Sequence, residues 1–365
     1  MTLVGFQLTF DVDLFTITSG ELQCTCQGSL STVHVTLRQA SNRQNGFSTK
    51  DDAATSEWGP TGVECIATCE LEPEERVVSA LGDLEANRLP PGSIHPSERK
   101  GIFDADGSLR PNHGIDLSCL PGWFQEFRHE IYRELYECAT RMIKLVRWHC
   151  NAHGGPKAIR SDAWLKWCWD GQPWQLMPPH LDWPGGEEVL PVSFEPNTQS
   201  TICSMMHLSE LNEPVGHELF REAWELRRSR PRSALTLGIA AAEAGIKQFI
   251  VDTEPGTKWI VENLPSPPLS DLLRKYLPIM LEDHNIRNPA SRPPNRLIMD
   301  PLVEGVKMRN RVVHGIDIPI EHDSLERALL AIRDILWMLD VYRGHEWARP
   351  FLRPETLEAW DPDHD

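Results

Sequence analysis

The sequence predicts an α+β protein: a β-rich N-terminal domain, one long amphipathic helix, and a C-terminal all-α bundle of five helices. Three observations carry this reading. Before about residue 115 apolar and polar residues alternate in several runs. From Pro121 to His149 apolar residues recur every three or four positions, and beyond Asn212 they do so again in segment after segment. A period of two sets alternate side chains on one face of a strand, whereas the longer period lines one side of a helix.

In the first part, "STVHVTLRQ" sets Val33, Val35 and Leu37 against His34, Thr36 and Arg38, and "TGVECIATCELE" repeats the pattern with Val63, Cys65 and Ala67. Turn clusters such as "SNRQNG" separate these runs, so a small antiparallel sheet or sandwich is expected. The long helix carries Phe124, Phe127, Ile131, Leu135, Cys138, Met142 and Leu145 on one stripe and stops at "NAHGGP". Residues 155–212 read as an irregular Trp- and Pro-rich connection that packs over a domain junction. Five helices follow: "EPVGHELFREAWELRRSR"; "RSALTLGIAAAEAGIKQFIVD", with Leu235, Ile239, Ala242, Ile246 and Ile250 aligned; "PPLSDLLRKYLPIMLED"; a fourth delimited by Asp300 as N-cap, Pro301 and Gly315; and a fifth opened by a capping box of Asp323 and Glu326. The expected divisions are residues 1–118 for the β-rich domain, 119–212 for the long helix and connection, 213–345 for the bundle, and 346–365 for an acidic tail.

Charge narrows the function. The 365 residues carry a net charge of −17, which excludes a surface that coats itself in nucleic acid without specificity. The acidity is local, because Glu213–Arg343 holds 18 Lys+Arg against 19 Asp+Glu, so the bundle can present a basic groove. Nine cysteines at irregular spacing build no disulfide framework and point to a reducing compartment. "MTLVGFQLTFDVDLF" has no positive n-region and no unbroken apolar core, and no run is expected to supply the roughly 20 apolar residues of a membrane span. A cytoplasmic protein without membrane partners is expected.

The chemistry concentrates in "RNRVVHG", Arg309 to Gly315. On a helical wheel with Leu302 at zero, Val306 falls at about 40°, Val313 at about 20° and Arg309 at about −20°, so a guanidinium sits inside the apolar stripe. A buried, unpaired charge costs several kcal/mol. Either a carboxylate such as Glu243 neutralises it, or this face is open and the arginine meets an anion. Asn310 and His314, four apart, share a neighbouring face, and Lys307 and Arg311 flank the motif.

At these residues the chain resembles the HEPN domain (higher eukaryotes and prokaryotes nucleotide-binding), whose ribonuclease members carry an Arg, often with a polar residue next, and a His four to six positions on. The Ala-rich helix "ALTLGIAAAEAGIKQFI" with its central Glu243 resembles a helix of the same family, and the likeness covers residues 213–345. It implies a metal-independent endoribonuclease needing no cofactor, homodimeric through this domain, that leaves 2′,3′-cyclic phosphate and 5′-hydroxyl ends. The implied catalytic residues are Arg309, Asn310 and His314, with Glu243 in support and Lys307 and Arg311 along the RNA backbone. Such proteins commonly act as toxins or in antiviral defence, here with residues 1–118 as a sensor that takes an unidentified trigger or inhibitor. The alternative is a non-catalytic module of the same type that dimerises and binds RNA or a nucleotide. A third reading is a scaffold in which Arg309 merely pairs with Glu243.

The chemistry is consistent with the resemblance. RNA supplies its own nucleophile, so an imidazole to move the proton and a guanidinium fork for the phosphate oxygens suffice. Other candidates are weaker. Cys24 with Cys26, Cys65 with Cys69, and His149, Cys150 and His153 lack the spacing of a zinc site, so no metal is expected. "DADG" at Asp104–Gly107 lacks the Glu that closes a calcium loop and reads as a turn. Trp164, Trp167, Trp169 and Trp174 read as a packing layer between domains.

Overall fold

The computed structural model describes residues 2–12, 15–39, 63–86, 88–93, 117–152, 164–170, 172–177, 190–263, 268–284, 286 and 294–360. The chain divides into two compact units, residues 1–212 and 213–365. The first is built on an antiparallel sheet and the second is helical, an α+β layout. The "DADG" turn and His153 lie outside the described residues.

In the first unit the strands are β1 (Val4–Val12), β2 (Phe15–Ser19), β3 (Leu22–Gln27), β4 (Thr32–Gln39), β5 (Val63–Leu71), β6 (Trp164–Trp169), β7 (Gln175–Leu176) and β8 (Leu190–Ser193). Six of them form one sheet in the order β3-β4-β5-β1-β6-β7, with every neighbour antiparallel. β2 and β8 pair in parallel apart from it. One face is apolar throughout: Val4, Phe6, Leu8, Phe10 and Val12 of β1 are buried, as are Val33, Val35 and Leu37 of β4 and Val63, Cys65 and Ala67 of β5. Over this face lies α2 (Gly122–His149), whose Phe124, Ile131, Leu135, Met142 and Leu145 are buried at the expected spacing. Phe127 of α2 meets Phe6 edge-on with ring centroids 5.7 Å apart.

Residues 119–212 are therefore part of the N-terminal unit and not a connection. "WLKWCW" is the strand β6, paired residue for residue with β1, and Trp167 is buried within the unit with its ring against Trp169. Trp174 is exposed. Two helices escaped the sequence reading, α1 (Glu75–Glu85) and α3 (Pro196–His207). The end of α3 is secured by Arg141 of α2, whose guanidinium donates to the main-chain carbonyls of Met205, Met206, Leu208 and Leu211. A cation on the last carbonyls satisfies the acceptors that every helix leaves orphaned.

The second unit comprises α4 (Val215–Leu226), α5 (Pro231–Thr253), α6 (Lys258–Asn263), α7 (Leu269–Asp271), α8 (Leu277–Asp283), α9 (Arg296–Val313), α10 (His322–Tyr342) and α11 (Pro354–Trp360). The predicted third helix is broken, because Leu272–Tyr276 is wound as a π-helix just before Pro278. Proline has no N–H to give the carbonyl four residues back, and the widened turn absorbs that loss. At the centre is α5, with Leu235, Ile239, Ala242, Ile246 and Ile250 all buried. This helix, Pro231–Thr253, is long and apolar enough to cross a membrane, contrary to the sequence reading, but 56% of its apolar window is buried inside the protein.

Glycines set how closely these helices approach. A Cβ on Gly216 of α4 would lie 3.0 Å from the Ala241 carbonyl oxygen and 3.1 Å from the Gly245 Cα. Both are backbone atoms, so neither can rotate away. Gly216→Ala is expected to lower stability by about 1–3 kcal/mol, the range for overpacking, read as a shift of the urea midpoint at unchanged slope. A midpoint within error of the parent would mean that the α4–α5 crossing yields to an added methyl group.

Three boundaries differ from expectation. α9 starts at Arg296, capped by Asn295, whose side chain accepts from the Ile298 N–H at 3.3 Å. Asp300 is not the cap, and Pro301 sits inside the helix. α10 starts at His322 after Glu321, ahead of the proposed Asp323 cap. Finally, the acidic tail is folded to Trp360, with a 3₁₀ turn (Glu346–Phe351) followed by α11. Asp334 of α10 is fully buried and needs partners; Arg353 supplies its Nε at 2.7 Å and Thr356 its hydroxyl at 2.5 Å.

Candidate active site

The candidate site lies on the second half of α9. Burial along this helix falls steadily: Ile298 and Leu302 are inaccessible, Gly305 packs against Ala328 of α10, Val306 is half-buried, and Val313 is 59% exposed. The apolar stripe thus surfaces over its last two turns. Arg309 occupies the point of emergence, with its side chain 24% exposed.

Its guanidinium donates to Glu243 Oε1 of α5 at 2.5 Å, and the Glu243 side chain is itself 37% exposed. Both alternatives left open by the sequence are therefore met together: the arginine is neutralised by a carboxylate, and the face it occupies reaches solvent. A carboxylate holding one edge of a guanidinium limits its swing and leaves its other N–H groups for an anion.

Past Arg309 the chain is exposed. Asn310, Arg311, Val313, His314 and Gly315 all face solvent, as does Lys307 one turn earlier. Asn310 and His314 are one turn apart, and the His314 N–H donates to the Asn310 carbonyl at 3.0 Å. His314 is the C-cap residue. Gly315 follows with φ +78°, the left-handed conformation that favours glycine, and the N–H groups of Gly315 and Ile316 close on the Val312 and Arg311 carbonyls at 3.0 and 2.9 Å. This double closure fixes the backbone under the imidazole. Ile316 is 49% exposed, so with Val313 it forms an apolar margin beside the motif.

Sequence reasoning missed one supporting contact. Arg232, in the first turn of α5, donates to the Asp317 carboxylate and, at 3.3 Å, to the Ile318 carbonyl. It moors the segment that leaves His314. No local signal marks a pair 85 positions apart.

A second concavity, of about 360 Å³, lies in the first unit beside Trp123. Glu72, Glu126 and Glu130 line it, and Arg76 lies with its guanidinium 5.1 Å over the Trp123 ring. Carboxylates around an aromatic floor suit a cation, and the chain's own arginine already fills that place. Among the described residues no group of three or more His, Cys, Asp or Glu side chains gathers as a metal-ligand set.

Comparisons with protein-family models, curated proteins and solved structures give no match.

Proposed function

We propose that the chain is a metal-independent endoribonuclease of HEPN type, acting in the cytoplasm as a regulated toxin or antiviral-defence effector, with its N-terminal unit as sensor. The observation that carries this reading is the place of Arg309, half-exposed where an apolar helix face emerges, with Asn310 and His314 open to solvent on the next turn. In the proposed reaction the 2′-hydroxyl oxygen attacks phosphorus and the 5′-oxygen leaves. An imidazole accepts the hydroxyl proton, and a second, from a paired copy, protonates the leaving oxygen. The guanidinium meets the non-bridging oxygens as their charge grows. Lys307 and Arg311 hold the flanking phosphates.

In a second reading the same surface dimerises and binds RNA or a nucleotide without cutting it, and the ion pair to Glu243 favours a third, the scaffold. One experiment separates them. Mixed RNA is incubated in EDTA with the parent or with His314→Ala, alongside a growth assay in cells expressing each. Cleavage to 2′,3′-cyclic phosphate ends that falls by about 10²–10⁴-fold in the variant supports the enzyme. Binding without cleavage, together with harmless expression, supports the second reading. A parent that neither binds, cuts nor harms cells leaves only the scaffold.

A further inference from the structure

Four cysteines of the first unit meet in two pairs around β3, and no part of the proposed nuclease chemistry uses them. Cys24, on β3, faces Cys203 of α3 with the two Sγ atoms 2.6 Å apart. Cys26, two residues along on the same face of β3, is hydrogen-bonded to Cys138 of α2. All four are thiols. β3 is the edge strand of the six-stranded sheet, and the helix that carries Cys203 packs against it.

We infer that Cys24 and Cys203 form a reversible dithiol–disulfide pair that fastens α3 to the edge strand under oxidising conditions. The geometry is close to that of the bond. A disulfide holds its sulfurs about 2.05 Å apart, so closure needs a shift of roughly half an ångström. Access is divided between the two thiols: Cys24 is buried, whereas Cys203 is half-exposed, and its Sγ lies 3.1 Å from the Gln23 carbonyl oxygen. Burial and the neighbouring Cys203 push the Cys24 thiol far up, so at neutral pH it keeps its proton and the exposed partner is the one that reacts.

The oxidant is a low-molecular-weight disulfide, RSSR, of the glutathione class. Cys203 Sγ, having lost its proton, attacks one sulfur of RSSR; a Cys203–SR bond forms and RS⁻ leaves, taking up that proton. Cys24 then attacks Cys203 Sγ, expels the second RS⁻ and passes its own proton to it. Two protein thiols lose two protons and two electrons, RSSR gains them, and two RSH depart. The closed bond spans 179 positions of the chain. A ring of that size restricts the unfolded chain strongly, so oxidation is expected to raise the thermal midpoint of the first unit by about 5 °C or more.

The test uses the full chain in glutathione buffers of increasing oxidised fraction, with alkylation of free thiols, non-reducing digestion and mass mapping, beside a thermal melt of each sample. The expected result is a peptide linked through Cys24 and Cys203, a raised midpoint, and reversal of both by dithiothreitol. In Cys203→Ser both effects disappear, and in Cys24→Ser a glutathione adduct persists on Cys203. The map of the unaltered chain decides without either variant. Alkylation of both Cys24 and Cys203 in the most oxidising buffer, or a bond formed between Cys26 and Cys138 instead, overturns the inference.

Discussion

Arg309→Ala is expected to lower RNA cleavage by about 10²–10³-fold, the usual loss when one preorganised donor to a developing oxyanion is removed, and to leave stability almost unchanged. The second half of this expectation follows from exposure. The Arg309 and Glu243 side chains are 24% and 37% accessible, so solvent screens their ion pair. Pairs of this kind contribute about 0–1 kcal/mol, and a midpoint shift of no more than about 4 °C in a unit of this size. Glu243→Gln provides the contrast, because it keeps the arginine and removes only its restraint; a loss of about tenfold is expected, the result of a guanidinium less well aimed. The two variants thus separate a charge that acts on phosphate from one that merely holds two helices together. Were Arg309→Ala to melt many degrees early with no RNA cleavage to lose, the structural role would be the whole of it.

Glu134→Ala is expected to destabilise the first unit by about 1.5–3 kcal/mol, the scale for removing a charged acceptor from part-buried donors. The carboxylate of Glu134, on α2, accepts from Ser29 Oγ at 2.6 Å, the Leu30 N–H at 2.7 Å, the Ser31 N–H at 3.0 Å and Ser31 Oγ at 3.4 Å. It is 6% exposed. These four bonds tie the β3–β4 turn down onto the helix, and truncation leaves two main-chain donors with no acceptor. The turn is fitted to this carboxylate: a Cβ on Gly28 would stand 2.4 Å from Glu134 Oε1. Glu134→Gln keeps the volume but turns an amide NH₂ toward donors, so it should fall between the parent and the alanine variant. Urea unfolding followed by tryptophan fluorescence reads all three. A cost under 1 kcal/mol for the alanine would mean that water takes over the turn.

Much of this architecture was legible because it rests on period. Val33, Val35 and Leu37 alternate and are buried, and α5 presents its stripe at the predicted positions. Gly315 was readable as a helix end because few other residues adopt the backbone found there. Glu243 is legible as the carboxylate for Arg309 because a half-buried guanidinium needs one within reach, and an Ala-rich helix offers few. The failures have equally definite causes. "WLKWCW" carries no clean alternation, and its pairing with β1 across some 160 positions leaves no local trace. Asp300–Pro301 resembles a helix start, yet Asn295 caps five residues earlier and the helix tolerates Pro301 beyond its first turn. The folded terminus depends on Asp334, an acidic residue that a wheel does not distinguish from its exposed neighbours until its partners are known.

The falling burial along α9 bears on the energetics of whatever engages it. The helix is anchored through Ile298, Leu302 and Gly305, and its far end overhangs with Val313 and Ile316 in water. An occupant that covers those two side chains gains their desolvation, on the order of 1 kcal/mol each at half their area, and bears the entropy of stilling the arginine, asparagine and imidazole beside them. With the helix root already fixed, that ordering cost is confined to side chains and a single turn.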